Sequence, residues 1–406
     1  MNERLLLLVL AAIQFTAIVD FLIILPLGPQ YMRVFHINPG QFGLIVSAYA
    51  ISAGISGVAT GFVLDRFDRK RALLVLYFGF TVGTLFCALA PTYPLLVAAR
   101  VVAGAFGGVA GALILAIIGD VIPEERRGAA MGMVMSSFSV ASICGVPIGL
   151  VLADTMDWHL PFFVLAALSL VILLASARVL PQLRGHLVHV GEQHPVKQMM
   201  AVLSHTDHQM AFLFMAMLSF TGFVVFPNIA TYMVLNVGLT ERQLPLIYLA
   251  GGLATVFSLN WIGRWADRTG KLRVFTWMSL AATIPIVLVT NLPRAPLLAA
   301  ILSSTLLMVC MSGRMVPAMA LMTASIEARY RGGFMSINSS VQQFSCGVAA
   351  YLSGQVLVQT TDGTLAHFPA LGAASVVCAL ICIYLARFLK APEASETPVQ
   401  GLPVEG

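Results

Sequence analysis

Long apolar runs follow one another through almost the whole chain. They fall at about 5–27, 41–63, 72–90, 94–119, 129–154 and 160–181, and again at about 209–235, 243–262, 272–290, 295–324, 330–357 and 367–389. Each comes close to the roughly 20 residues that a helix needs to cross the hydrocarbon core of a bilayer. Of the 406 residues 59% are hydrophobic and 10% charged, against about 25% charged in a soluble domain. Such runs cannot all be hidden in a water-soluble core. In lipid every backbone N–H and C=O must be satisfied within the protein, and a single run does this as a helix. The expected fold is therefore an all-α membrane protein with twelve transmembrane helices.

The first run starts four residues into the chain and lacks a small-residue cleavage site at its end, so it reads as an uncleaved first span. The polar stretch 182–208 divides the runs six and six. Four segments follow: an N-terminal six-helix bundle over 1–181, a linker over 182–208, a C-terminal bundle over 209–390 and a tail over 391–406. The tail carries Pro392, Pro398 and Pro403 with Glu393, Glu396 and Glu405, a composition expected to be disordered.

The basic residues fix an orientation. One set of span ends holds 18 of the 23 Lys and Arg, in clusters such as Arg66, Arg69, Lys70 and Arg71. The other side holds Arg33, Arg242 and Arg294, and Arg100 and Arg314 fall inside spans. Lys and Arg accumulate in cytoplasmic loops, so both termini and the linker are expected in the cytoplasm. The net charge of +5 is thus a matter of topology, and no nucleic-acid partner is expected. The linker histidines His186, His189, His194, His205 and His208 read as a solvated connection rather than a metal site. The six cysteines lie in apolar segments and read as packing residues. No metal and no cofactor are expected.

The two halves repeat each other. "GFVLDRFDRKRALL" begins at Gly61 and "GRWADRTGKLRVF" at Gly263, so that Gly61, Asp65 and Arg66 match Gly263, Asp267 and Arg268 at a constant offset. "RRGAAMG" at Arg126 echoes "YRGGFMS" at Tyr330. Each motif is expected to follow the second or fourth span of its half. Six plus six spans in parallel repeat is a layout used by secondary transporters.

On these residues the chain resembles the major facilitator superfamily, and more narrowly its bacterial twelve-span drug/proton antiporter and sugar-efflux (arabinose-efflux-permease-like) branch. The family pattern G-x-L-A-D-R-x-G-R-K is met by Gly61, Asp65, Arg66, Arg69 and Lys70, with Asp68 in place of the usual Gly. The resemblance implies a conformational latch here, in which Asp65 accepts hydrogen bonds at the N-terminus of the eleventh span, near Tyr330–Gly333. Gly263, Asp267 and Arg268 are its counterpart. "RVVAG", Arg100–Gly104, resembles the family's R-x-x-Q-G with Ala103 for Gln. "CGVPIGL" resembles the antiporter motif G-P-x-x-G-G through Gly145, Pro147 and Gly149, with Val146 inserted and Leu150 at the last Gly. Small residues there let helices approach and Pro bends them.

Asp20 is the one acid deep inside a span. It lies roughly 22 Å along its helix at 1.5 Å per residue. Arg100, roughly 9 Å into a span that enters from the other direction, has a similar depth. An acid in the bilayer is costly and normally faces a cavity or a partner. Burial disfavours its anion, whereas a neighbouring guanidinium favours it. Two readings follow: Asp20 takes up and releases the coupling proton, or it forms a static ion pair with Arg100. Arg314, between Gly313 and Pro317, is a candidate contact for an anionic or hydroxylated solute, with snorkelling as the alternative. Span eleven is unusually polar, and Asn338 and Gln342 are candidates to line a watery cavity. Span seven offers Phe220, Phe223, Phe226 and Asn228, of which Phe223 and Asn228 are the candidate substrate contacts.

No Walker A, H-E-x-x-H or G-x-S-x-G motif occurs, so no enzyme activity is expected. The expected function is secondary active transport by alternating access, as proton-coupled efflux of a small organic solute or drug. Import by symport or uniport is the alternative, and a membrane sensor a more distant one. The expected partners are a small-molecule substrate, protons and membrane lipid, for a monomer in a bacterial inner membrane.

Overall fold

In the computed structural model, residues 3–61, 67–183, 200, 202–327 and 331–389 are described. The helices follow the apolar runs. Spans one to six are Glu3–Ile23, Pro39–Gly61, Arg69–Leu89, Tyr93–Val121, Glu124–Thr155 and Leu160–Val179. Spans seven to twelve are Thr206–Val237, Leu244–Thr269, Lys271–Thr290, Leu297–Ala324, Arg331–Val356 and Phe368–Ala386. Among the described residues, 11 helices are long and apolar enough to cross a membrane. Arg331–Val356 is as long, at 26 residues, but carries the polar run of span eleven. Two two-residue strands, Val358–Gln359 and Leu365–Ala366, pair before span twelve.

The helix ends are written locally. Pro94, Pro161, Pro245 and Pro369 stand in the first turns of their helices, where the missing N–H costs nothing. Asp68 caps span three, its carboxylate accepting the Lys70 amide at 2.9 Å. That is the physical use of an acid at this position. Span eight runs further than expected, to Thr269, and stops at Gly270 with φ +99°. Gly263, Asp267 and Arg268 therefore lie in its last turns rather than in the loop after it.

The first span of each half is broken, which the hydropathy pattern hides. Span one ends at Ile23 and the chain resumes as a short helix, Gly28–Phe35. Span seven stops at Phe223 and resumes at Phe226. Pro26 and Pro29, and Pro227, lie at these breaks. The repeat thus extends to an interrupted lead helix in both halves. Span five carries a π turn, Ala141–Gly145, just before Pro147. Such turns are common at functional positions in helices.

Ion pairs define one end of the molecule. Arg69 meets Asp120 at 2.6 Å and Arg126 meets Glu3 at 3.0 Å, which brings the basic ends of spans one, three, four and five together. The two halves share one apolar core: Ile23, Phe42 and Trp158 join Tyr232, Leu244 and Phe368 at the opposite end, and within the second half the same core runs on to Ile262, Ala266 and Val274. Toward the basic end each half has a core of its own, around Tyr77 and Ile114 in the first and around Phe214 and Phe334 in the second.

Candidate functional site

Asp20 sits one turn before span one breaks, and it is fully buried, as is Arg100 (both 0% exposed). The Arg100 Nη1 donates to Asp20 Oδ2 at 2.7 Å and to the Asp20 carbonyl at 3.3 Å. The last carbonyls of a helix have no donor within the helix. Arg100 therefore caps span one and neutralises its acid with one group, at a helix C-terminus where a cation is favoured. The Thr84 hydroxyl donates to Asp20 Oδ1 at 3.0 Å. The Arg100 guanidinium lies over the Tyr49 ring, 4.3 Å from its centroid. Tyr31 and Cys87 are the other titratable groups close enough to act on the pair. Four spans thus supply one buried, mostly satisfied network.

Glycines let the network close. A Cβ on Gly145 would strike Val19, and one on Gly149 would strike Ile23. The Gly145, Pro147 and Gly149 motif therefore holds span five against span one on both sides of Asp20. A Cβ on Gly104 would strike the Tyr49 carbonyl, so "RVVAG" brings Arg100 and Tyr49 together.

Aromatic rings carry the contact across the halves. Phe21 packs on Tyr49 with centroids 5.2 Å apart, and on Phe223 at 5.6 Å. Phe223, a candidate from span seven, is thus two rings from Arg100. Span two also lies against span eleven over most of its length. A Cβ on Gly43 would come within 2.7 Å of the Ala350 carbonyl, and one on Gly54 within 3.0 Å of the Ser340 carbonyl. Near the opposite end, Arg33 pairs with Glu241 at 2.5 Å and Arg242 with Asp154 at 3.0 Å. Both cross-half ion pairs among the described residues lie there. The hydrogen bonds that Arg33 donates to the Glu241 carboxylate hold its proton more firmly than usual.

The other sequence candidates fall in several places. Arg314 is in the second half, away from Asp20. It is buried, and its Nη2 donates to the Leu218 carbonyl at 3.2 Å. Asn228 is buried and its amide donates to the Ser353 hydroxyl at 3.0 Å. Asn338 is buried with no partner for Oδ1, and Gln342 is half-buried. Arg69 meets Asp120 of its own half, and the Lys70 amide is taken by Asp68. Asp65, Arg66 and Tyr330, which the latch needs, lie outside the described residues.

The sequence reading missed Thr84 and Tyr49. Thr84 is a hydroxyl inside an apolar run, a weak signal. Tyr49 gave none, because spacing along span two does not say which span it faces. Arg33, Arg242, Glu241 and Asp154 were legible as charges on the less basic side but not as pairs.

The chain matches the Major Facilitator Superfamily over residues 10–209 and 211–403. It belongs to that family. It is similar to the MFS-type transporter YceJ of Bacillus subtilis, 28% identical over 363 residues, covering 88% of this chain and 90% of the relative. YtbD of the same organism is 24% identical over 358 residues, covering 87% and 88%. Among solved structures, the fold is shared with a bacterial homologue of the human lysosomal transporter Spinster, inward-facing and occupied. The TM-score is 0.74 at 16% identity, covering 94% of this chain and 95% of that one. A D-xylose–proton symporter gives a TM-score of 0.75 at 18% identity, covering 96% and 97%. The chain is therefore an integral membrane protein of a family of secondary transporters that bind small-molecule substrates.

Proposed function

We propose that this chain exports a small organic solute or drug in exchange for protons, by alternating access. The observation that carries the reading is the buried Asp20–Arg100 pair at 2.7 Å, set where span one breaks. A proton on Asp20 removes the negative charge that strengthens the shortest Arg100 bond and so loosens the guanidinium's hold, letting it shift along the Tyr49 face. Through Phe21 that shift reaches Phe223 of the other half. One pair of residues can thus exchange a proton for a change in how the halves meet. The membrane potential supplies about 2.3 kcal/mol per charge per 100 mV, enough to drive accumulation with one proton per cycle.

The remaining assignments belong to the same proposal. Asp20 and Arg100 couple the proton. Phe223, Asn228, Arg314, Asn338 and Gln342 contribute to the solute path. Gly61, Asp65, Arg66, Arg69 and Lys70, with Gly263, Asp267 and Arg268, latch the basic side. Both termini are cytoplasmic in a bacterial inner membrane, and the working unit is a monomer of two bundles, 1–181 and 209–390. The joining of both halves in one core at the end away from the basic clusters, through Phe42, Trp158, Tyr232 and Phe368, fits a carrier shut on the outside.

A growth and resistance screen over compound classes, with cells expressing wild type and Asp20→Asn, identifies the solute. Uphill transport is then measured in proteoliposomes under an imposed pH gradient. Proton-driven movement opposite to the proton is expected for wild type and not for Asp20→Asn. Movement with the proton makes the protein an importer, and equal uphill transport by both removes Asp20 from coupling.

A further inference from the structure

The two guanidiniums inside the membrane are treated differently. Arg100 is matched by a carboxylate, a backbone carbonyl and an aromatic face. Arg314 is equally hidden, 2% exposed, yet it makes one hydrogen bond, from Nη2 to the Leu218 carbonyl. Its Nε and Nη1 have no partner. Among the described residues no carboxylate faces it. The titratable groups nearest it are Cys310, Cys378 and Cys382, whose neutral thiols bring no counter-charge. A guanidinium offers five N–H donors, and a buried charge without a counter-charge is strongly unfavourable. An anionic group with oxygen acceptors is what would satisfy it.

We infer that Arg314 is an anion site: it holds a carboxylate or similar monoanionic oxygen group, carried by the transported solute or present as a small free anion. The inference rests on the carrier reading for the first source and not for the second. Nη1 keeps both hydrogens and Nη2 one, an edge suited to a two-oxygen acceptor. Neutral solutes leave the charge unmet and cations are repelled. The local helix is built to yield. Pro317 lacks the N–H that would bond the Gly313 carbonyl, which is a recognised cause of helix bending. The electrostatics of reorientation agree. With Asp20 and Arg100 paired, the first bundle carries no net charge in its interior, and an anion on Arg314 gives the second bundle the same neutrality.

The test uses the purified full-length protein and reads the thermal midpoint during titration at constant ionic strength. The probes are sodium benzoate, sodium chloride, methyl benzoate and benzylamine. Benzoate is expected to stabilise wild type saturably. Its affinity falls at least tenfold in Arg314→Gln and stays within a few-fold in Arg314→Lys. Methyl benzoate and benzylamine give no shift that depends on Arg314. Chloride competing on equal terms with benzoate assigns the site to a free anion, and benzoate displacing chloride assigns it to the solute. Equal benzoate affinity in wild type and Arg314→Gln overturns the inference, as does the absence of saturable anion binding. Should Arg314→Gln not fold, Arg314→Lys and the wild-type probe series still decide. The anion site is read by binding to the purified protein and proton coupling by transport in proteoliposomes, so failure of one is told apart from failure of the other.

Discussion

Arg100 closes span one twice, through the Asp20 carboxylate at 2.7 Å and through the Asp20 carbonyl at 3.3 Å. One cation therefore serves as helix cap and counter-ion. Arg314 repeats half of this arrangement: it reaches the Leu218 carbonyl of span seven but, among the described residues, meets no acid. The halves share an architecture and differ in charge.

Removing one member of the first pair leaves the other charge buried. Arg100→Gln alone is expected to cost about 3–5 kcal/mol of stability, the usual penalty for breaking a buried pair. Adding Asp20→Asn should recover most of it, since both charges are then gone. Denaturation of the two single variants and the double variant gives the coupling directly, and additive losses would mean that the pair carries no mutual stabilisation.

Tyr49 contributes its ring face rather than its hydroxyl. A desolvated cation–π contact is worth about 2 kcal/mol, so Tyr49→Leu should lower stability by that order and Tyr49→Phe by much less. Thermal unfolding in one detergent separates the two. Equal losses would assign the effect to the hydroxyl.

Gly43 is a lock between the halves. Its missing side chain lets span two meet the Ala350 carbonyl and Gly354. Gly43→Val should force spans two and eleven apart at the end away from the basic clusters. Ser353→Cys, buried beside Asn228, reports this. Its labelling by an impermeant thiol reagent, located by mass spectrometry, is expected to rise at least tenfold, well over 1 kcal/mol by the usual conversion. An unchanged rate would show that the contact does not seal that side.

The ion pairs Arg33–Glu241 and Arg242–Asp154 act more weakly. Exposed pairs are worth about 0.2–1 kcal/mol each. Arg33→Gln with Arg242→Gln should therefore raise Ser353→Cys labelling only a few-fold. About 1 M salt, with a Debye length near 3 Å, should do much the same to wild type. No response to either would mean that apolar packing alone holds the side shut.

The spans, the repeat and the depth match of Asp20 with Arg100 were all legible in the sequence. Hydrophobic length and an unpaired acid leave one-dimensional signals. The breaks after Ile23 and Phe223 were not, because hydropathy averages across a proline that interrupts the helix without interrupting the apolar run. Thr84 and Tyr49 were invisible because partner choice depends on which helix faces which, and packing sets that. Asn228 read as a candidate substrate contact, and the structure adds a donation from its amide to the Ser353 hydroxyl. A polar residue in a span advertises a need for a partner without saying whether solute or protein meets it. The terse glycine pattern around Pro147 gave its location but not its target, which is the pair of turns around Asp20.

Solute-triggered proton movement decides whether Asp20 couples transport to protons. Purified protein is placed in proteoliposomes holding a pH dye, and the identified solute is added on one side with no imposed gradient. Wild type is expected to move protons on solute addition, while Asp20→Asn moves none yet still exchanges labelled for unlabelled solute in counterflow. Solute-triggered proton movement by Asp20→Asn at the wild-type rate would show that Asp20 does not carry the coupling proton.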